Sequence, residues 1–173
     1  MKTSIIFFED DDEDFDDMND DDAMRANAQH IRQVQHNLSQ VVQELIKRGI
    51  EHDLSKWSPI EWPYFSRATS KLKNLTYGSP EYKDNLKSLK PAIEAHHQTN
   101  RHHPEYFGGD ITRMSLIDLI EMLADWKAAT ERHSDGDIMR SLDINIEKFN
   151  IPDSLASVLR NTLEDLKWGH SNL

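Results

Sequence analysis

Apolar residues recur along this chain at the spacing of a helix face. Between Met24 and Arg48 they fall at Ile31, Val34, Leu38, Val41, Leu45 and Ile46, three or four residues apart, which predicts one long helix with a single buried stripe. The pattern returns at Leu116, Leu119, Ile120, Leu123 and Trp126, then at Ile138, Leu142 and Ile146, and finally at Leu155, Val158, Leu159, Leu163 and Leu166. No stretch alternates apolar and polar residues with a period of two, and no internal repeat or second domain is evident. Such a chain can bury its apolar faces only by packing helix on helix. The expected fold is all-α, a compact helical bundle over residues 24–173.

Start and stop signals divide the pattern. Gly49 reads as a helix stop, with a short helix over Ile50 to Lys56. Ser58-Pro59-Ile60-Glu61 has the form of a capping box with proline in the first turn. It opens a helix to about Leu72 whose Trp62, Phe65 and Leu72 face the core, and Glu61 is read as its capping partner in preference to a site residue. Asn74 to Gly78 is a loop, Ser79-Pro80-Glu81 opens another helix, and Pro91 forces a kink or a fresh start. Ala92 to Thr99 is helical, Arg101 to Thr112 is a loop holding Pro104 and Gly108-Gly109, and Ser115 with Asp118 caps the next helix. The last two helices are expected over Asp137 to Phe149 and Ser154 to Lys167, joined at Ile151-Pro152-Asp153.

Charge sets the N-terminus apart. Glu9 to Asp22 (EDDDEDFDDMNDDD) holds 11 of the 31 acidic residues. Setting those and Lys2 aside leaves 20 acidic against 19 basic residues from Ala23 onward. Residues 1–23 are therefore expected to be a self-repelling, disordered arm on a nearly neutral body. The balance argues against nucleic acid as a partner. Ile5-Ile6-Phe7-Phe8 is too short to span a membrane or serve as a signal peptide. With no cysteine, any metal must be held by nitrogen and oxygen, and a cytoplasmic location is expected.

Nitrogen and oxygen donors are plentiful. His52-Asp53 places an imidazole and a carboxylate side by side, a pairing that suits a divalent transition metal. Upstream, the helical phase puts His30 beside Val34, Leu38 and Val41 on the inward face and His36 on the opposite one. Downstream, His96 shares a face with Ile93 and Asn100, His97 lies about 100° away, and His102-His103 sit in the loop. Asp118, Glu121 and Asp125 form one stripe, read either as a hydrated acidic edge or with Asp125 turned inward.

The order His30, His52-Asp53, Asp125 on successive helices resembles the HD-domain superfamily of metal-dependent phosphohydrolases. Within it the chain looks most like a family of small phage and bacterial proteins catalogued as a domain of unknown function. His52 to Lys56, Tyr77 to Tyr82, His96 to Phe107 and Glu121 to Trp126 carry that likeness, which covers about Ala28 to Phe149. The resemblance implies an HD-like bundle in which His30, His52, Asp53 and Asp125 hold a metal. Lys56 would contact substrate phosphate, with Arg101 a weaker candidate. Glu121 or His103 would shuttle a proton or orient a ligand. His96 with His102 or His103 would complete a second site, although two-metal relatives generally space those histidines farther apart. One or two ions of iron, manganese or zinc are thus implied. The substrate would be a small phosphorylated molecule, by default a nucleotide, in the host cytoplasm if the protein is phage-encoded. A di-iron oxygenase and a non-catalytic, metal-stabilised binding protein are the alternatives.

Overall fold

The computed structural model describes residues 20–72, 80, 84, 87–132 and 136–169. Expectations for most of the acidic arm, the 74–78 loop and the Ser79-Pro80-Glu81 start lie outside them. The fold is all-α, with no strand among the described residues. The chain forms two compact units, residues 1–42 and 43–173.

Helix α1 runs Asp20–Glu51. It starts earlier than composition suggested, and Asp20, Asp21 and Asp22 occupy its first turn, where the helix dipole favours negative charge. It also passes through Gly49, which does not act as a stop. A helical glycine costs only about 1 kcal/mol relative to alanine, and the residues around it are good helix formers. In the first unit, Ile31, Val34, Leu38 and Val41 are exposed, contrary to the buried stripe expected there.

In the second unit, the described helices after the end of α1 are α2 Trp62–Leu72, α3 Lys90–Thr99, α4 Leu116–Thr130, α5 Ile138–Phe149 and α6 Asp153–Asp165. The short helix expected over Ile50 to Lys56 is a 3-10 turn at Leu54–Trp57, and two more such turns span Pro104–Phe107 and Ile111–Arg113. Pro91 sits in the first turn of α3, so it marks a start. Gly108 and Gly109 take φ of 72° and 87°, values that glycine alone adopts without cost.

The core gathers Leu119, Met122 and Leu123 of α4 with Ile138 and Leu142 of α5 and Ala156, Leu159 and Leu163 of α6. Phe107, Ile111 and Met114 close it from the turns, and Trp126 packs at its edge. Leu116, Val158 and Leu166 stay exposed, as does Trp62 on α2, although their spacing had placed them inside. Ser115 caps α4 with both halves of the box formed: its Oγ accepts from Asp118 N at 3.1 Å, and Asp118 Oδ2 accepts from Ser115 N at 3.0 Å. The cap fixes the phase of α4, and that phase turns Glu121 and Asp125 toward the candidate site.

Candidate metal centre

At the end of α1 the chain turns at Asp53, whose φ of 57° and ψ of 13° are left-handed. Few non-glycine residues sit there, and aspartate is among those that tolerate it. The turn brings two consecutive side chains to one place: His52 Nε2 lies 3.4 Å from Asp53 Oδ2. Around the same carboxylate stand His96 Nε2, 3.0 Å from Oδ1, and His102 Nε2, 3.5 Å from Oδ1. Asp125 Oδ1 is 3.6 Å from His52 Nε2.

Donor atoms of Asp53, His96, His102 and His103 lie within 4.8 Å of one another, as do those of His52, Asp53 and Asp125. Asp53 belongs to both groups. Ligand atoms bound at 2.0–2.2 Å to one ion stand roughly 3 to 3.5 Å apart, and the three imidazole nitrogens meet the Asp53 carboxylate at 3.0–3.5 Å.

The outer nitrogens explain the orientation. Glu121 Oε1 accepts from His52 Nδ1 at 3.0 Å and lies 3.1 Å from His102 Nδ1. Glu61 Oε2 accepts from His96 Nδ1 at 2.9 Å, with Ser55 Oγ at 3.0 Å from the same nitrogen. A carboxylate partner fixes the proton on Nδ1. With that proton alone on the ring, Nε2 would aim its lone pair at a carboxylate oxygen, which is repulsive unless a cation lies between them. A proton or a metal ion can fill that place. Consistent with an ion, Asp53 Oδ1, His102 Nε2 and His103 Nε2 are buried without a hydrogen bond. The donor set therefore fits a divalent transition metal.

Electrostatics point the same way. The Asp125 carboxylate, working against burial and aided by Glu121 and Asp53, pushes the His52 imidazole up to about 9. Burial raises the Asp53 carboxyl, but His102, His96 and Lys56 outweigh it and hold it well below the ordinary carboxylate range. Asp125 is likewise held low, because His52 and His102 outweigh its burial. Burial, and then the neighbouring His102, His96 and His97, push His103 down to about 3, so His103 is a neutral donor.

The flanks are tied in differently. Asp118 is fully buried and binds Arg48, Arg101 and Ser115. This stripe of α4 is therefore no hydrated edge: Asp118 anchors two guanidiniums, Glu121 orients two imidazoles and Asp125 meets His52. Arg101 is engaged with Asp118, which weakens it as a phosphate contact. Lys56 Nζ binds Asp53 Oδ2 and remains about one third exposed, 36% of its side chain. His97 turns to a separate group with His103 and Glu105.

Of the residues singled out from sequence, the structure brings together His52, Asp53, Lys56, His96, His102, His103, Glu121 and Asp125. His30 lies in the first unit, exposed on α1, whereas every donor group above lies in the second. Glu61 departs from its capping role. Its backbone N still meets Ser58 Oγ at 3.2 Å, but α2 starts at Trp62 and the Glu61 side chain, 2% exposed, serves His96. Ser55 and Arg48 were not singled out, and Asn100, placed on the face of His96, was given no role; it donates to Ser55 Oγ at 2.7 Å. Arg48 carried one signal, a cation one helical turn before the His52-Asp53 doublet.

No curated protein and no solved structure matches the chain. A family model does match, and over residues 7–167, a longer span than the motifs had suggested. The chain belongs to that family, described as a family of unknown function (DUF5662).

Proposed function

We propose that the protein is a metal-dependent phosphohydrolase of HD type, acting in the cytoplasm on a nucleotide or another small phosphoester. The observation that carries this reading is the position of Asp53, shared between a nitrogen-rich donor group (His96, His102, His103) and an oxygen-rich one (His52, Asp125). That arrangement suits two neighbouring ions of iron, manganese or zinc. Bound there, such ions supply Lewis acidity and lower the pKa of coordinated water toward about 7.

The chain's own residues do the rest. Glu121 and Glu61 hold three imidazoles with Nε2 facing inward, so the donors are ordered before any ion arrives. Lys56 can leave Asp53 for a phosphoryl oxygen, since its ammonium is partly exposed and a metal would compete for the carboxylate. His103, neutral and unpartnered at Nε2, serves as a further donor to the ion, since its burial among other histidines makes it a poor proton acceptor.

The test is phosphate release from nucleoside mono-, di- and triphosphates and from simple phosphomonoesters. The protein would be loaded with manganese, iron or zinc and assayed with and without dioxygen. The reading expects metal-dependent release that is insensitive to dioxygen and falls at least about tenfold in Lys56→Ala. Dioxygen-dependent turnover without phosphate would replace it with the oxygenase. Tight metal with no turnover would replace it with the binding protein.

A further inference from the structure

One face of the centre opens into a cavity of about 270 Å³ lined by Leu45, Arg48 and Gly49 from the end of α1, His52, and Ile120, Glu121, Ala124, Asp125 and Ala128 of α4. All of its polar side chains belong to the site or its supports. Arg48 is paired with Asp118 through its Nη2, and its Nε lies 3.3 Å from Glu121 Oε2, both of these atoms being buried without a hydrogen bond, while His52 and Glu121 are joined to each other through Oε1. The other walls are the carbon side chains of Leu45, Ile120, Ala124 and Ala128, together with Gly49 in the last turn of α1.

From this we infer that the cavity is the pocket for the substrate's leaving group, and that this group is a neutral, apolar body of one or two rings. Resting on the phosphohydrolase reading, the inference gives the site a substrate class: phosphomonoesters of small aromatic or alicyclic alcohols, in preference to nucleotides. Size permits it: the pocket holds about 270 Å³ and is open to solvent beside Gly49, Ala124 and Ala128, which leaves room for a ring of benzene size, whose enclosed cavity is about 150 Å³. Chemistry supports it. A nucleobase would set amide and amine edges against the carbon side chains of Leu45, Ile120, Ala124 and Ala128, which offer them no hydrogen bond. An apolar ring needs none. Two members of the oxygen-rich donor group, His52 and Asp125, line the cavity, so a ring seated there leaves its phosphoryl group at the donors.

Calorimetry on the full-length, manganese-loaded protein with two non-hydrolysable probes tests this. Phenylphosphonate should bind at least about tenfold more tightly than methylphosphonate, since even one methylene in an apolar pocket is worth about that much. Ala128→Trp, which fills the cavity, should erase the preference, and Ala129→Leu on the neighbouring face of α4 should keep it. Equal affinity for both probes, lost without metal, would overturn the apolar pocket and leave the phosphohydrolase reading standing. If neither phosphonate binds the loaded protein, that reading fails, and benzyl alcohol then tests the pocket by itself. Binding that is lost in Ala128→Trp would uphold an apolar pocket, and no binding would overturn it.

Discussion

Helix α4 has two working sides that obey different rules. On one, Leu119, Met122 and Leu123 pack into the core with α5 and α6. On the other, Asp118, Glu121 and Asp125 meet partners from the end of α1, the turn after it and the loop following α3. Apolar packing is non-directional, so many arrangements of neighbours satisfy the first side, and its spacing alone announces it. The second side consists of one buried charge, Asp118, and two partly buried ones, each costly unless one particular partner arrives. The same helix thus carries a tolerant face and an exacting one, and substitutions should separate them.

The largest effect is expected on the tolerant side, and in stability alone. Leu123→Ala, at a residue 2% exposed, should cost about 2–5 kcal/mol by leaving a cavity, while the folded fraction keeps its metal. Chemical denaturation paired with metal analysis checks both halves. Concurrent metal loss at low denaturant would show that the two sides are coupled.

On the exacting side, Glu121→Gln removes the charge that orients His52 and His102. Metal affinity should fall about 10- to 100-fold, the usual effect of losing an outer-shell partner, with a smaller loss of stability. Glu61→Gln should act in the same direction and nearer the lower figure, because it supports His96 alone. Competition with a chelator measures both. Unchanged affinity in Glu121→Gln would mean that ring orientation does not matter to the ion.

The smallest effect is a pH dependence. His52 is raised from 6.5 to about 9 by Asp125 and Glu121 against the pull of burial. A raised histidine stabilises the folded state fully below its unfolded value and loses that contribution as pH climbs through the folded one. The metal-free protein should therefore lose a few degrees of melting temperature between about pH 6.5 and 9. The loaded protein should not, because the ion replaces the proton, and metal affinity should tighten over the same interval. A flat or rising curve without metal would contradict the protonated His52.

What could be read from the sequence follows the same division. Helices α4, α5 and α6 and the Ser115 cap were legible, because apolar repeats and a local capping pair need no distant information. Val158 and Leu166 show the limit, since spacing marks a face without saying how wide a neighbour covers it. The start of α2 was misjudged because Glu61 had two claims on one carboxylate. A backbone N–H at a helix start is the weaker claim, and a buried imidazole makes the stronger, charge-assisted bond. Gly49 was misjudged because its local cost is small beside the propensity of its neighbours. Among the donors, residue type was legible, but mutual position was not. The loop that delivers His102 and His103 is shaped by Pro104, Gly108 and Gly109, and turn chemistry does not reveal what the turn will face.

The central claim is that Asp53 is the shared oxygen of a metal centre. Elemental analysis of the purified protein beside Asp53→Asn tests it most directly, since asparagine tolerates the left-handed backbone at that position and removes only the charge. The account predicts stoichiometric transition metal in the parent protein, nearly none in the variant, and the same helical content in both. Full metal content in Asp53→Asn would contradict it.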